Sequence, residues 1–138
     1  SYSISKEMPD IHNKKSKITI VAISAARINA TEAIEELGKE GLNCDIFHLV
    51  WLKPFKVSDQ LLSSLEKTKL GLVIDTDFET CGASQSISYE LMLKTGAKVH
   101  GFGLADKVSG VSKETENLTP SKSEIKEKIK SILQQGQF

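Results

Sequence analysis

The chain has 138 residues, of which 39% are hydrophobic and 26% are charged. This length and composition are typical of one soluble domain with an ordinary core. The 18 Lys and Arg residues balance the 18 Asp and Glu residues. No net field therefore favours nucleic acid or an anionic membrane, and we expect neither as a partner.

Cysteine usage and the lack of targeting segments in the sequence indicate the cellular compartment of the protein. The two cysteines, Cys44 and Cys81, are too few for a disulfide framework or a four-ligand zinc site. No apolar run reaches the ~18 residues of a membrane span, and no signal peptide is visible. We therefore expect a reduced, cytoplasmic compartment. Because the chain begins at Ser1 rather than at Met, we also expect processing or an origin in a longer polypeptide.

The first half of the chain predicts two units of strand and helix. Residues 1–16 lack a sustained period and indicate an N-terminal arm, with a short edge strand around Tyr2 to Ile4. Residues 17–24 are apolar and β-branched, which predicts a strand covered on both faces. A helix that ends near Gly41 follows. Its inward face carries apolar residues at helical spacing: Ala30, Ala33, Ile34 and Leu37.

The next strand runs from Cys44 to Val50 and stops at Lys53-Pro54. Ser58 is suited to cap a helix. That helix turns three leucines inward: Leu61, Leu62 and Leu65.

A third apolar run, Leu70 to Asp75, predicts a buried strand that breaks into a polar turn at Asp75-Thr76-Asp77. A helix follows Gly82 and runs to about Lys94. Lys98 to Gly103 is a fourth strand, weakened by glycines. In an open α/β sheet, ligands and partners are met at the carboxyl ends of such strands. The search for function therefore begins at Asp75 to Gly82.

The end of the chain predicts a surface loop over residues 104–119 and one more helix. Ser121 and Glu124 have the spacing of a capping box. The apolar stripe of this helix is Ile125, Ile129, Ile132 and Leu133, and Gln134 to Phe138 fray. We therefore expect an α/β domain over residues 17–134 and a tail at 135–138. The fold class is a three-layer α/β/α sandwich around a mostly parallel sheet of four to five strands, with one antiparallel edge strand.

No familiar catalytic motif is present. The turn after the first strand, Ser24 to Arg27, has no glycine for close approach to a pyrophosphate, and neither the P-loop nor G-x-S-x-G occurs. The three histidines lie in an arm and two different strands: His12, His48 and His100. Cys81 has no neighbouring base that would activate it as a nucleophile. We expect no catalytic, cofactor-binding or metal-binding residue in this chain.

Two charged groups leave alternatives open. Asp75 and Asp77 could bind Mg²⁺ or accept a phosphoryl group, as in response-regulator receivers, although acidic residues are missing after the first strand. The simpler interpretation is that Asp75 and Thr76 bond loop backbone while Asp77 is solvated. The lysines of the last helix are most simply a solvated face, and a docking surface is the alternative: Lys122, Lys126, Lys128 and Lys130.

The order and the residue patterns of these segments resemble those of the C-terminal domain of the transketolase superfamily. The resemblance covers roughly Lys17 to Leu133 and is greatest to the β subunit of thiamine-diphosphate-dependent 2-oxoacid dehydrogenases, such as the pyruvate and acetoin enzymes. Its most specific pieces are Leu52-Lys53-Pro54, Lys67-Thr68, Val73-Ile74-Asp75-Thr76-x-Phe78 with Gly82, and Leu104-x-Asp106 with Pro120. The sequence departs from the family at Asp77, Phe78, Cys81 and Ser86, where a small residue, tryptophan, glycine and glutamate are usual.

The resemblance implies a structural role within a larger enzyme. In the family, thiamine diphosphate and Mg²⁺ are held by the α subunit and by the N-terminal half of the β subunit, so this chain alone should not catalyse. The full enzyme would decarboxylate a 2-oxoacid and transfer the acyl group to lipoyl. The implied partners are the α subunit, a second β subunit and the dihydrolipoyl acyltransferase.

Two alternatives stand beside this hypothesis. One is the same domain from a sugar transketolase or a deoxyxylulose-phosphate synthase, and the other is an independent α/β binding module such as a receiver. The Asp75-Thr76-x-Phe78 turn favours the oxoacid enzyme. We expect the stretch after the third strand, together with the helix that follows it, to form an association surface. Its candidate residues are Asp75, Thr76, Asp77, Phe78, Gly82 and Ser84.

Overall fold

The computed structural model describes residues 9–11, 15–49, 56–79, 82–105 and 118–136. These residues form five strands and four helices. In chain order they are β1 (Pro9–Ile11), β2 (Ile18–Ile23), α1 (Ala26–Lys39), β3 (Cys44–Leu49), α2 (Asp59–Thr68), β4 (Leu70–Phe78), α3 (Ala83–Thr95), β5 (Lys98–Leu104) and α4 (Lys122–Gln135).

The strands form one sheet in the order β1-β3-β2-β4-β5. Strands β2 to β5 are parallel, and β1 pairs antiparallel with β3 at one edge. The predicted fold class is therefore confirmed, including the antiparallel edge strand. That strand lies at Pro9–Ile11, whereas the predicted position, Tyr2 to Ile4, is outside the described residues.

Two hydrophobic clusters, one on each face of the sheet, hold the layers together. α1 and α4 cover one face, where Ile20, Ile46 and Leu72 lie side by side at one level of three neighbouring strands. α2 and α3 cover the other face, where Val21 and Val73 pack. Every residue of β2 is buried, because this strand is central and has a helical layer on both sides.

The helix ends follow the local sequence. Ser58 Oγ accepts a hydrogen bond of 3.2 Å from the Leu61 amide, as predicted. Ser121 and Glu124 form the predicted capping box, with distances of 2.7 and 3.3 Å. α2 ends at Lys69, which has φ +60° although it is not glycine. A Cβ costs energy in this left-handed region, so Lys69 is a mildly strained position.

The lysines of α4 are not simply a solvated face, which corrects that interpretation. Glu36 and Glu40 of α1 accept four ion pairs from three of them, at 2.7 to 3.0 Å: Lys122, Lys126 and Lys130. These bonds lower the pKa of Glu40 to about 2 and also lower the pKa of Glu36. The fourth, Lys128, lies 5.4 Å from the centre of the Phe102 ring. These ion pairs connect α4 to α1.

A buried polar network surrounds Asp45 on β3, whose side chain has no exposed surface. Its carboxylate accepts hydrogen bonds from Ser16 Oγ at 2.5 Å, Ser64 Oγ at 2.7 Å and Lys67 Nζ at 3.0 Å. Ser16 lies just before β2, and Ser64 and Lys67 lie on α2. Asp45 therefore ties the first part of the domain to the α2 layer.

β4, which corresponds to the third apolar run of the sequence, is longer than predicted. The expected polar turn at Asp75-Thr76-Asp77 is wrong, because β4 continues to Phe78 and pairs there with Leu104 of β5. The ladder is irregular between Ile74 and Phe78, which accommodates the polar residues.

The C-terminal helix is slightly longer than predicted. α4 continues through Gln134 to Gln135, so the helix reaches slightly beyond the predicted start of fraying. Several predicted features lie outside the described residues: Lys53-Pro54, Cys81, most of the 104–119 loop and the last two residues.

Candidate association surface

Asp75 lies at the carboxyl end of β4 and is only 3% exposed. Its Oδ1 accepts hydrogen bonds from the amides of Thr76, at 2.7 Å, and Asp77, at 3.3 Å. This confirms the simpler interpretation of Asp75, in which the carboxylate bonds local backbone. Its Oδ2 is buried and has no hydrogen-bond partner among the described residues. One oxygen of this carboxylate already accepts hydrogen bonds from the neighbouring backbone, which is unfavourable for a metal site.

The candidate residues lie at the carboxyl end of β4 and at the start of α3, and they differ in exposure. Thr76 is half-buried and Asp77 is exposed. Gly82, the residue before α3, is buried, and Ser84 in the first turn has no exposed surface. Phe78 ends β4, and its side chain is outside the described residues. Of the candidates with described side chains, Thr76 and Asp77 reach the surface.

The small residues at the start of α3 bring the helix close to the sheet. A Cβ added to Gly101 of β5 would lie 3.5 Å from Ser84 Oγ and 3.9 Å from Ser88 Oγ. Larger side chains on either element would push α3 away from β5. The small residues therefore serve helix–sheet packing inside the domain, rather than approach by another protein.

The outer face of α3 carries three large apolar or aromatic side chains beside its polar ones. Ile87 and Leu91 are buried against the sheet. On the other side, Tyr89 is 60% exposed, Leu93 66% and Met92 37%. Positions three and four residues apart are neighbours on a helix, so these three side chains form one patch. We call Tyr89, Met92 and Leu93 the α3 patch.

Our sequence analysis missed the α3 patch, although a signal was present. Residues 87–93 read ISYELML, with apolar or aromatic residues at five of seven positions. An ordinary surface helix has an apolar stripe on one side and polar residues on the other. Large apolar residues on the side away from the sheet therefore predict a second contact.

Among the described residues there is neither a cluster of metal ligands nor an activated thiol. They contain no group of three or more His, Cys, Asp or Glu side chains that could hold a metal ion. Cys44 is buried, and burial together with the nearby Asp45 raises the pKa of its thiol to about 12, which keeps it protonated and unreactive. In the described part of the chain, no helix has the length and apolar character needed to cross a membrane.

The fold defines a class. The described residues form an α/β/α domain with a mostly parallel sheet and one antiparallel edge strand.

The comparisons with known proteins give the family. Residues 9–125 match the family described as "Transketolase, C-terminal domain". The chain belongs to this family, as its resemblance implied.

Two curated relatives and one solved structure illustrate the similarity. "Pyruvate dehydrogenase E1 component subunit beta" of Mesostigma viride is 30% identical over 83 residues, which cover 60% of this chain and 25% of the relative. The protein of the same name from Chlorokybus atmophyticus is 29% identical over 83 residues, covering 60% and 24%. The chain thus spans about a quarter of the length of the curated relatives it matches.

The solved structure, a "Split gene transketolase, inactive beta4 tetramer", aligns with a TM-score of 0.69 at 22% identity, over 87% of this chain and 39% of that chain. At this identity the likeness supports the fold alone.

Proposed function

We propose that this chain is the C-terminal association domain of the β subunit of a thiamine-diphosphate-dependent 2-oxoacid dehydrogenase. Family membership and the pyruvate dehydrogenase relatives support the parent enzyme. The observation that carries the role is the α3 patch, because it brings together three of the five large hydrophobic side chains that are exposed among the described residues. Contiguous exposed apolar surface of this kind is typical of protein interfaces.

The domain does not hold the cofactor in this proposal. Mg²⁺ with a diphosphate needs several oxygen ligands at one place, and no such group is found among the described residues. Asp75, the buried acid at the carboxyl edge, already uses one oxygen for its own backbone. Thiamine diphosphate and Mg²⁺ would therefore be bound elsewhere in the parent enzyme, and decarboxylation would take place there.

We assign the α3 patch to a contact with a second β subunit. A second β subunit is one of the partners that the family resemblance implies. Three side chains cover much less than the ~800 Å² per partner of a standard interface. The patch would therefore be one part of a larger contact, to which Thr76, Asp77 and the rest of the β subunit contribute. The α subunit and the acyltransferase would bind other surfaces of the parent enzyme.

The test is assembly of the parent enzyme from this chain, the remaining β-subunit domain and the α subunit of the same organism. We expect oxoacid-dependent decarboxylation only when all are mixed, and a complex by sedimentation velocity. Replacing Tyr89 and Leu93 with serine should weaken assembly at least tenfold, because truncating a central apolar anchor removes ~2 kcal/mol or more. The fold should be unaffected, since both side chains are largely exposed.

Leu118→Ser provides a matched control. Leu118 is 66% exposed and comes shortly before α4, which lies in the layer on the other side of the sheet. Loss of assembly with both sets of variants would indicate a general effect of apolar surface and remove the assignment to α3. Full assembly of the Tyr89 and Leu93 variant would contradict the association role. Activity with a sugar phosphate instead of a 2-oxoacid would reassign the parent to the sugar transketolases.

A further inference from the structure

A cavity of about 550 Å³ opens at the carboxyl ends of β2 and β3, beside the first turn of α1. It is separate from the α3 patch, which lies on the opposite helical layer. Its volume falls in the range of small-molecule sites, which combine apolar walls with a few placed polar groups. The lining has this composition: Ile23, Ile28 and Leu49 are apolar, whereas Ser24, Arg27 and His48 are polar.

The polar groups of the cavity include one cation and, among the described residues, no anion. Arg27 is the only arginine of the sequence, and among the described residues its guanidinium has no hydrogen bond or ion pair. His48 lies on the neighbouring strand, β3, and also lines the cavity. Its Nε2 is 3.4 Å from Thr31 Oγ1. No carboxylate is found among the described residues of the lining. The cavity therefore presents positive charge and hydrogen-bond donors without an anion to match them.

Arg27 lies at a position where its positive charge is unfavourable without a nearby anion. It lies in the first turn of α1, which has neither an acidic residue nor a side-chain cap. The amino end of a helix carries partial positive charge, so a cation there is unfavourable unless an anion is also present. A bound oxyanion would remove this repulsion. It would also pair with the guanidinium fork, for which carboxylates and phosphates are the natural partners.

The backbone supplies an independent sign of strain at the same place. Ser24, which connects β2 to α1, has φ +54° and is not glycine. Residues held in this region cost energy and occur preferentially at binding sites, where surrounding structure fixes them. The strained turn places Arg27 and the first turn of α1 at the mouth of the cavity. The absence of glycine still argues against a dinucleotide, whose pyrophosphate needs close contact with the backbone.

We propose that this cavity binds a small organic oxyanion, with its acidic group held by Arg27 and its apolar part against Ile23, Ile28 and Leu49. The site is distinct from the association surface and does not depend on the proposed function. The acidic group could be a phosphate or a carboxylate, because an arginine fork pairs with both. The two are distinguished by experiment.

The experiment is a titration of the ¹⁵N-labelled chain, at 150 mM NaCl, with three probes that share a butyl tail: n-butyl phosphate, butyrate and 1-butanol. We expect saturable shifts of the Arg27 and Ile28 amides with at least one anion, and none with the neutral alcohol. The tighter anion identifies the head group. Absence of saturation with both anions, or equal effects of butanol, would overturn the proposal.

Variants test the assignment to Arg27. Arg27→Gln should weaken the anion at least tenfold, and Arg27→Lys should recover part of the loss because it keeps the charge without the fork. Lys39→Gln removes the same charge from the other end of α1 and should leave affinity unchanged. The variant spectra also report the fold, which should persist because Arg27 is exposed. Equal affinity of Arg27→Gln and the unmodified chain would refute the site.

Discussion

Replacing Asp45 with alanine should destabilise the domain by about 3 to 4 kcal/mol. The carboxylate is fully buried and accepts hydrogen bonds from Ser16 and Ser64, at 2.5 and 2.7 Å. Bonds to a charged group contribute about 1.5 kcal/mol or more each, which gives about 3 kcal/mol for these two. Lys67 is 34% exposed, so its ion pair is partly screened and adds at most about 1 kcal/mol.

The charge of Asp45 also orients a chain of hydroxyl groups. Ser64 gives its only proton to Asp45, so in its 2.7 Å contact with Thr19 it must accept. Thr19 therefore donates to Ser64. The single proton of Thr68 is directed to the Leu70 carbonyl at 3.0 Å, and Thr19 Oγ1 lies 2.8 Å from the same hydroxyl. The anion therefore fixes the direction of two successive hydrogen bonds, from Ser64 to Asp45 and from Thr19 to Ser64.

Urea unfolding followed by circular dichroism measures these effects. Asp45→Asn keeps the volume but turns an amide N–H₂ toward donors, and we expect about half of the alanine loss. A double-mutant cycle between Asp45→Asn and Thr19→Val should give a coupling of about 0.5 kcal/mol or more, because Thr19 is linked to Asp45 through the hydroxyl of Ser64. A loss below about 1 kcal/mol for Asp45→Ala, at an unchanged urea slope, would refute the reasoning.

Three further predictions follow from burial, backbone strain and charge. Val73→Asp puts an unpaired charge at a position with no exposed surface, and should unfold the chain at 25 °C, so a native circular dichroism spectrum would contradict the packing described above. Lys69→Gly relieves a left-handed residue at the end of α2 and should stabilise by about 0.5 to 1 kcal/mol, whereas a lower melting temperature would show that the strain is absent. The pKa of Glu40 is lowered from 4.5 to about 2, so its ion pairs stabilise the fold above about pH 4.5, and this stabilisation is lost as the pH falls toward 2. Glu40→Gln should therefore reduce the drop in melting temperature between pH 5 and pH 3, and an unchanged drop would assign the acid sensitivity to other groups.

Features set by a few neighbouring residues could be predicted from the sequence. The cap at Ser58 and the capping box at Ser121 depend on side chains that bond to their own helix. The buried face of α1 follows from the spacing of its small and apolar residues, such as Ala30 and Ile34. Each of these is decided within one or two turns, where local spacing is reliable.

Features that depend on distant partners could not be predicted in the same way. The polar residues from Asp75 to Asp77 read as a turn, but β5 continues beside them and the ladder extends to Phe78. Asp45 sits in an apolar strand, and only the arrival of Ser16 and Ser64 explains its burial. In both cases the deciding contacts come from other elements, which the local pattern does not contain.

The two proposed surfaces lie on opposite helical layers, and this separation has a consequence. The α3 patch belongs to the α2 and α3 layer, whereas Arg27 is on α1, in the layer shared with α4. A β subunit bound to Tyr89 and Leu93 would leave the cavity beside Arg27 uncovered by that contact. Anion binding and assembly should therefore be lost independently: Arg27→Gln should assemble normally, and the Tyr89 and Leu93 variant should bind the anion with unchanged affinity. Loss of both properties in either variant would mean that the two surfaces are coupled through the sheet.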